Sequence, residues 1–420
     1  MNEYITLKGK QEVGGSLRPS GSKNASLALI CASLLVKGRV ILHRVPRIDD
    51  IFCLFDILKY LNCKIDFDGD KVEIDSSFLT YKPLCIQEVS KIRASYYLIG
   101  ALLGSNSSLE ISYPGGCSFS SRPIDMHIDV FKSLGVNVNE GDKLYLSYDQ
   151  LHTGEIHLKK KSLGTSVNAI LLMCQIEGES VLKGISEEPE IDDLISFINE
   201  AGGSIRKEKD TLFIKGTKNY HPLSFYVSYD RIEIGSYALL AAACGRILIQ
   251  GVNKEQNKYL FSLMDELNIK YSYTSSLLCV EKSDLSYKGT IVCSSFPSFP
   301  TDLKASLCAL LLLNKNDVVV EDEVYPLRNQ FIDEMIKLGG ETRKEEEKIY
   351  ISYSPFLNGA TLEASDLRAS FGLLIAGLIS KGVTKINNFS LSHRGYQDIY
   401  LKLRQLNIEF EVNYNWKESY

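Results

Sequence analysis

"RASFGLLIAGL" at residues 368–378 has no polar face: beyond Ser370 every residue is apolar or glycine. A helix that is apolar on nearly every side must be buried on nearly every side. The same opening, "RASYYLIGALL", stands at 93–103. Four further stretches share its layout, a small polar residue followed by an apolar run: "NASLALICASLL" from 24, "GTSVNAILLM" from 164, "IGSYALLAAA" from 234 and "KASLCALLLL" from 304. The aligned serines are Ser26, Ser95, Ser166, Ser236, Ser306 and Ser370, at a nearly constant interval that shortens only at the last step. So regular a period means one structural unit used six times.

A second phrase keeps the same rhythm. "YLNCKI" at 60, "SLGVNV" at 133, "EAGGSI" at 200, "ELNIKY" at 266, "KLGGET" at 337 and "QLNIEF" at 405 each end an amphipathic segment. Each places Gly or Asn just past the last apolar position, where a left-handed helix cap is needed. Short alternating strands follow most of them, such as "KVEID", "KLYLS", "TLFIKG" and "KIYIS". Each unit therefore holds one buried helix, one outer helix and several strands. Six units exceed one core, so two domains of three are expected, dividing near residues 225–232. Repeats of this length also stack linearly, and a solenoid is the alternative.

The chain has 420 residues, 45% of them hydrophobic and 24% charged, with a net charge of −5. That balance gives no general electrostatic reason to bind nucleic acid or an anionic membrane. The most apolar runs, Leu27–Val36 and Leu307–Leu313, are too short to span a bilayer. "MNEYITLKGK" lacks the apolar core of a signal peptide. The ten cysteines show no CxxC pair and mostly lie in apolar runs. They read as reduced thiols of a cytoplasmic protein, neither a disulfide framework nor a metal site.

Cys117 is the exception. It lies in "YPGGCSFSSRP" (113–123), behind two glycines and ahead of Arg122 and Pro123. Such a loop can move, and a nearby arginine lowers a thiol pKa. A free, unreactive loop thiol fits the spacing equally well. The buried-helix starts carry a second signal: Lys23, Arg93, Lys304 and Arg368 stand there. A helix N-terminus already favours anions. "SGSKNASLA" (20–28) adds Asn24, "FPTDLKAS" (299–306) adds Asp302, and "SHRGYQD" (392–398) adds Arg394. Taken singly, these are also what capped helices and solvated charges look like; Asp125 and Asp302 are both good caps. Their recurrence at one point of the repeat is the informative feature.

With those residues in view, the chain resembles the UDP-N-acetylglucosamine enolpyruvyl transferases, which share a superfamily with the shikimate-pathway enolpyruvyl transferase. "RAS", "PGGC", "RPIDMHID", "EPEI", "DRIEIG", "FPTD", "DLRAS" and "RGY" occur in the family order along essentially the whole chain. Lys23–Asn24 fits this branch, whereas the shikimate branch has Lys-Ser. The resemblance implies an α/β fold, a two-domain inside-out α/β barrel of six βαβαββ-like units with the active site in the interdomain cleft. The domains would be 21–229, and 1–20 with 230–420. The implied reaction transfers the enolpyruvyl group of phosphoenolpyruvate to the 3′-hydroxyl of UDP-N-acetylglucosamine, in peptidoglycan synthesis. No cofactor, metal or obligate protein partner is implied.

Roles follow by motif position. Asp302 would accept the hydroxyl proton. Cys117 would sit on a lid and serve proton transfer at carbon. Lys23 and Arg122 would neutralise phosphate, with Arg93 nearby. Arg328, Arg368 and Arg394 would gather at the carboxylate, which planar guanidinium forks suit. Arg122, Pro123, Asp125, Lys160, Ser162, Leu163 and Gly164 would line the uridine diphosphate, and Asn24 the sugar. The chain departs from the family at Pro326–Leu327, where Glu-Asn is usual, at "PLCIQEVSKIRAS" before Arg93, and at the bulky Phe119 of the lid. These leave room for a different uridine nucleotide as acceptor, or for a relative that binds without catalysis. The lid assignment predicts that the epoxide fosfomycin alkylates Cys117, read by mass spectrometry. Cys117→Asp should resist it and keep turnover within about tenfold, since a carboxyl can also deliver the proton.

Overall fold

The computed structural model describes residues 2–115 and 124–415. Each serine start opens a buried helix: Lys23–Ala32, Tyr97–Leu103, Leu163–Met173, Arg231–Cys244, Lys304–Leu311 and Leu367–Ile379. The second and fifth begin earlier, as the tight turns Arg93–Tyr96 and Thr301–Leu303. All six aligned serines are buried. Their hydroxyls bond locally where the geometry allows, Ser236 to Ile232 O and Ser370 to Asp366 O, both at 2.8 Å. In Arg231–Cys244 every residue is buried, Arg231 and Glu233 included. The absence of a polar face in the sequence thus has its expected cause.

The outer helices are amphipathic: Asp49–Tyr60, Asp125–Ser133, Pro189–Glu200, Lys258–Glu266, Gln330–Lys337 and Ile399–Gln405. Each ends at the anticipated left-handed residue. Asn62, Gly135, Gly202, Asn268, Gly339 and Asn407 all have positive φ, from 54° to 101°. The next strand starts within a few residues, so the outer helix and its following hairpin form a tight module.

Six sheets follow one plan: a parallel pair, then two antiparallel partners. In the first, Leu223–Tyr226 runs parallel to Arg39–His43, which pairs antiparallel with Lys71–Asp75, and that strand with Lys64–Asp68. The three-stranded sheet of Ser108–Ile111, Leu144–Ser147 and Asn137–Glu140 keeps the plan through a parallel bridge between Leu84 and Ile111. Burial alternates along the strands, so each sheet puts one face on the helices.

The sheets also show why the repeats do not stack as a solenoid. Leu223–Tyr226, from the end of the third repeat, returns to the sheet of the first. The chain's own start closes the other group. Val13–Leu17 pairs parallel with Gly245–Ile249, and Asn2–Lys8 lies between Val383–Asn387 and Phe410–Asn415. Two compact units result, residues 21–228 and residues 1–20 with 229–420, each with its own hydrophobic core. Tyr229, placed with the first group from the sequence, lies in the second unit, where its ring packs on Gly251. Among the described residues no helix is long and apolar enough to cross a membrane.

Within each unit the buried helices touch at glycine. A Cβ on Gly372 would lie 2.7 Å from the backbone of Ala305, and one on Gly100 would lie 2.5 Å from Asn168 O. Gly372→Ala should therefore destabilise the protein by about 2–3 kcal/mol, because backbone cannot yield as a side-chain tip can. That outweighs the roughly 1 kcal/mol of helix propensity that alanine adds. An unchanged urea midpoint would show that the two helices can part without cost.

Candidate active site

In the unit of residues 229–420 one carboxylate organises the site. Asp366 caps the last buried helix, accepting Arg368 N at 2.8 Å and Ala369 N at 3.2 Å. The same carboxylate takes Arg328 Nη2 at 2.5 Å and Nε at 3.2 Å, a two-pronged contact. Arg328 then extends Nη1 to Asp302 Oδ1 at 2.9 Å, and Arg368 Nη2 reaches Asp302 Oδ2 at 3.1 Å. Asp302 sits in the Thr301–Leu303 turn with its side chain 29% exposed, whereas Arg328, Arg368 and Asp366 are nearly inaccessible. Three expected residues are thereby assembled, Asp302, Arg328 and Arg368.

Arg394 ends the Phe389–Arg394 turn against the same helix start. A Cβ on the adjoining Gly395 would fall 2.3 Å from Leu367 Cδ1 and 3.4 Å from Arg368 Nη1, so the two segments lie close together. Tyr396 stacks on Phe371 at 4.7 Å, bonds Ser236 Oγ at 2.9 Å, and lies 5.3 Å from the Arg368 guanidinium.

Burial works against the Arg328 charge, but the carboxylates of Asp366 and Asp302 more than offset it and hold the guanidinium firmly protonated. Burial likewise opposes the Arg368 charge, and Asp302 with its neighbours again wins. Burial pushes the Asp366 carboxyl up, yet Arg328 and the helix N–H groups bring it below the usual carboxylate range. The balance is incomplete at one point. Arg368 Nε and Nη1 are buried with no hydrogen-bond acceptor among the described residues. Two buried donors on a cation favour an anion.

The unit of residues 21–228 holds the second set. Ser22 caps the first buried helix through Ala25 N, and its own N–H is fixed by Ser228 O at 2.7 Å. Lys23 follows, buried and paired with Asp50 at 2.7 Å; Asn24 is half-buried. The Arg93 guanidinium lies 5.7 Å from the Tyr96 ring. Ser162 caps the third buried helix, accepting Thr165 N at 3.3 Å, and Leu163 and Gly164 are its first residues. Lys159 and Lys161 pair with Asp129 and Glu187. Between them, Lys160 is exposed and has no ion-pair partner among the described residues. Asp125 is exposed in the first turn of its helix. Cys117, Arg122 and Pro123 lie outside the described residues.

From the sequence alone His127 reads as a surface or packing residue. It is buried, but in a polar contact beside the expected nucleotide segment. Gly100 N bonds Asn168 Oδ1 at 3.0 Å, which leaves Asn168 Nδ2 to donate to His127 Nδ1 at 2.9 Å. A Cβ on Gly164 would lie 3.4 Å from His127 Cε1, so ring and helix start touch. Asp50 and Asp366 were also missed; the signal for Asp366 was its place as N-cap of "DLRAS". Lys304 needs correcting. It is no helix-start cation offered to an anion, because Asp322 takes its charge at 2.6 Å in the core.

A family profile described as EPSP synthase (3-phosphoshikimate 1-carboxyvinyltransferase) matches residues 7–403. The chain belongs to this enolpyruvyl transferase family. It is 34% identical over 406 residues to UDP-N-acetylglucosamine 1-carboxyvinyltransferase 2 of Listeria innocua, covering 96% of each chain. It is 35% identical over 411 residues to UDP-N-acetylglucosamine 1-carboxyvinyltransferase 1 of Staphylococcus haemolyticus, covering 96% of this chain and 97% of the relative. Its fold is that of the enolpyruvyl transferase NikO from Streptomyces tendae, with a TM-score of 0.89 at 20% identity over 98% and 99% of the two chains. EPSP synthase from Acinetobacter baumannii follows with a TM-score of 0.76 at 14% identity over 99% and 100%. The α/β fold that the resemblance implied is thus the fold of enolpyruvyl transferases.

Nine cysteines of this transferase are described, all free. Burial raises the Cys53 thiol to about 11, and Cys63, Cys174, Cys244 and Cys308 to about 12, so none of these is a thiolate near neutrality. Burial, with a smaller contribution from Arg93, lowers the His127 ring from 6.5 to about 4. Between those values the unfolded chain binds a proton that the folded ring refuses, so stability falls as pH falls. The full shift corresponds to about 3 kcal/mol. Urea unfolding at pH 7 and pH 5 should show a smaller acid loss in His127→Gln than in the parent; equal losses would contradict the assignment.

Proposed function

We propose that this chain transfers the enolpyruvyl group of phosphoenolpyruvate to the 3′-hydroxyl of UDP-N-acetylglucosamine and releases phosphate, the first committed step of peptidoglycan synthesis. The observation that carries the reading is the Asp302–Arg328–Arg368 cluster with its two unmet guanidinium N–H groups. A carboxylate that must receive a hydroxyl proton lies beside a cation that still needs an anion. The full-length relatives named for this reaction support it.

The chemistry then distributes as follows. The acceptor oxygen adds to C2 of phosphoenolpyruvate as its proton passes to Asp302. The methylene carbon takes a proton, for which Cys117 is the assigned donor. The C–O bond to phosphate then breaks, the added carbon proton leaves, and the double bond is restored. Both oxygens of Asp302 are engaged by guanidiniums, those of Arg328 and Arg368. The carboxylate of phosphoenolpyruvate competes for Arg368 and Arg328, and so frees Asp302 to take the proton when both substrates are present. Arg394 joins that carboxylate. Lys23, Arg93 and Arg122 hold the phosphate, and Asn24 the sugar. Pro123, Asp125, Lys160, Ser162, Leu163 and Gly164 line the nucleotide, where a helix start and an exposed lysine suit a diphosphate. On this reading the protein works in the cytoplasm, where both substrates are made.

A different uridine nucleotide as acceptor is the second reading. It rests on Pro326–Leu327, which sets a 62% exposed Leu327 directly before Arg328. Phosphate release from phosphoenolpyruvate, with UDP-N-acetylglucosamine, UMP and shikimate 3-phosphate offered separately, decides between them. Release with the UDP-sugar alone is expected. Release with UMP alone would favour the second reading, and none with any acceptor would leave a nucleotide-sugar binder.

A further inference from the structure

We propose that Lys304 and Asp322 are a positioning pair, which aims the Asp302 carboxylate and the Arg328 guanidinium at each other. The two side chains meet at 2.6 Å and are each only 1% exposed. Asp322 uses both oxygens fully. One accepts Val324 N and Tyr325 N at 2.9 Å each; the other accepts Thr301 Oγ1 and Lys304 Nζ at 2.6 Å. Lys304 Nζ also donates to Tyr325 O at 3.0 Å, and Arg328 N donates to that same carbonyl at 3.1 Å.

These contacts tie the Thr301–Lys304 segment to the turn after Asp322, beyond the point where Gly289–Cys293 and Val318–Asp322 pair as strands. Asp302 lies between Thr301 and Lys304, both of which are tied to Asp322. Arg328 closes the turn that starts at Tyr325, whose N–H and carbonyl are both held by the pair. The Arg328–Asp302 contact at 2.9 Å spans the two ends of the brace. A buried ion pair adds little stability over well-packed apolar groups, but parting its members leaves an uncompensated buried charge, so the pair holds the two segments together. Their relative position matters here, because an error of about 1 Å at a reacting group can cost on the order of a hundredfold in rate.

The proposal rests on the assignment of Asp302 and Arg328 to the substrates. The test is Lys304→Met/Asp322→Asn, which removes both charges and keeps an amide able to hold the Val324 and Tyr325 N–H groups. We expect kcat to fall about tenfold or more while KM for phosphoenolpyruvate changes far less, since a misaimed Asp302 is felt in the transition state. Lys304→Arg should retain most of the rate, because it keeps the pair. If the double variant does not fold, Thr301→Val decides: it deletes one bond to Asp322 and should lower kcat about threefold. Parent kcat in the double variant, or in Thr301→Val where only that protein folds, overturns the proposal. If the parent chain releases no phosphate with any acceptor, the substrate assignment fails instead. The brace is then read from a crystal structure of the double variant: a lengthened Arg328–Asp302 contact supports it, and an unchanged one overturns it.

Discussion

A helix buried on every face has nowhere to turn its first N–H groups except toward polar groups that the chain itself supplies, and this fold poses that problem six times. The answers are local. Ser22, Ser162, Asp230 and Asp366 accept those N–H groups directly. Once a polar cap must enter the interior, the charges that balance it must follow. Asp366 satisfies a helix start and therefore needs Arg328; Arg328 and Arg368 then fix Asp302. The candidate active site grows out of the means by which the buried helices are ended.

The six-fold period, the buried and outer helices and the left-handed caps were legible in the sequence, because each follows from a short-range rule. Apolar periodicity dictates burial, and a helix end followed at once by a strand dictates Asn or Gly with positive φ. What stayed hidden is pairing across distance. Lys23 with Asp50, Arg328 with Asp366, and Lys304 with Asp322 each join different elements of the chain. In a single sequence such carboxylates look like ordinary surface charge. Lys304 was misread for that reason: its position in the repeat matches Arg368, but a carboxylate from the following strand claims it. The role of Asn2–Lys8 between two C-terminal strands was equally unreadable from the period, since a strand carries no mark of its distant partners.

His127 and Arg368 show two opposite treatments of a buried nitrogen base. His127 faces an amide N–H fixed by Gly100, and burial, with a smaller contribution from Arg93, lowers its ring pKa. Arg368 faces Asp302 and stays charged, with donors left over. Burial disfavours the charge on both groups; at His127 it prevails, and at Arg368 a carboxylate outweighs it.

The closure of each unit by a strand from its far end sets an order on how the protein is made. Asn2–Lys8 leaves the ribosome before residues 21–228, yet its partners Val383–Asn387 and Phe410–Asn415 are translated long after them. Ile5 and Leu7, buried in the finished protein, remain without their sheet until those strands emerge. Residues 21–228 contain all the strands of their own sheets and can fold while the rest is still being added. The nascent chain thus carries an unpaired strand ahead of a folded domain, and such an exposed edge is prone to aggregate until its partners arrive.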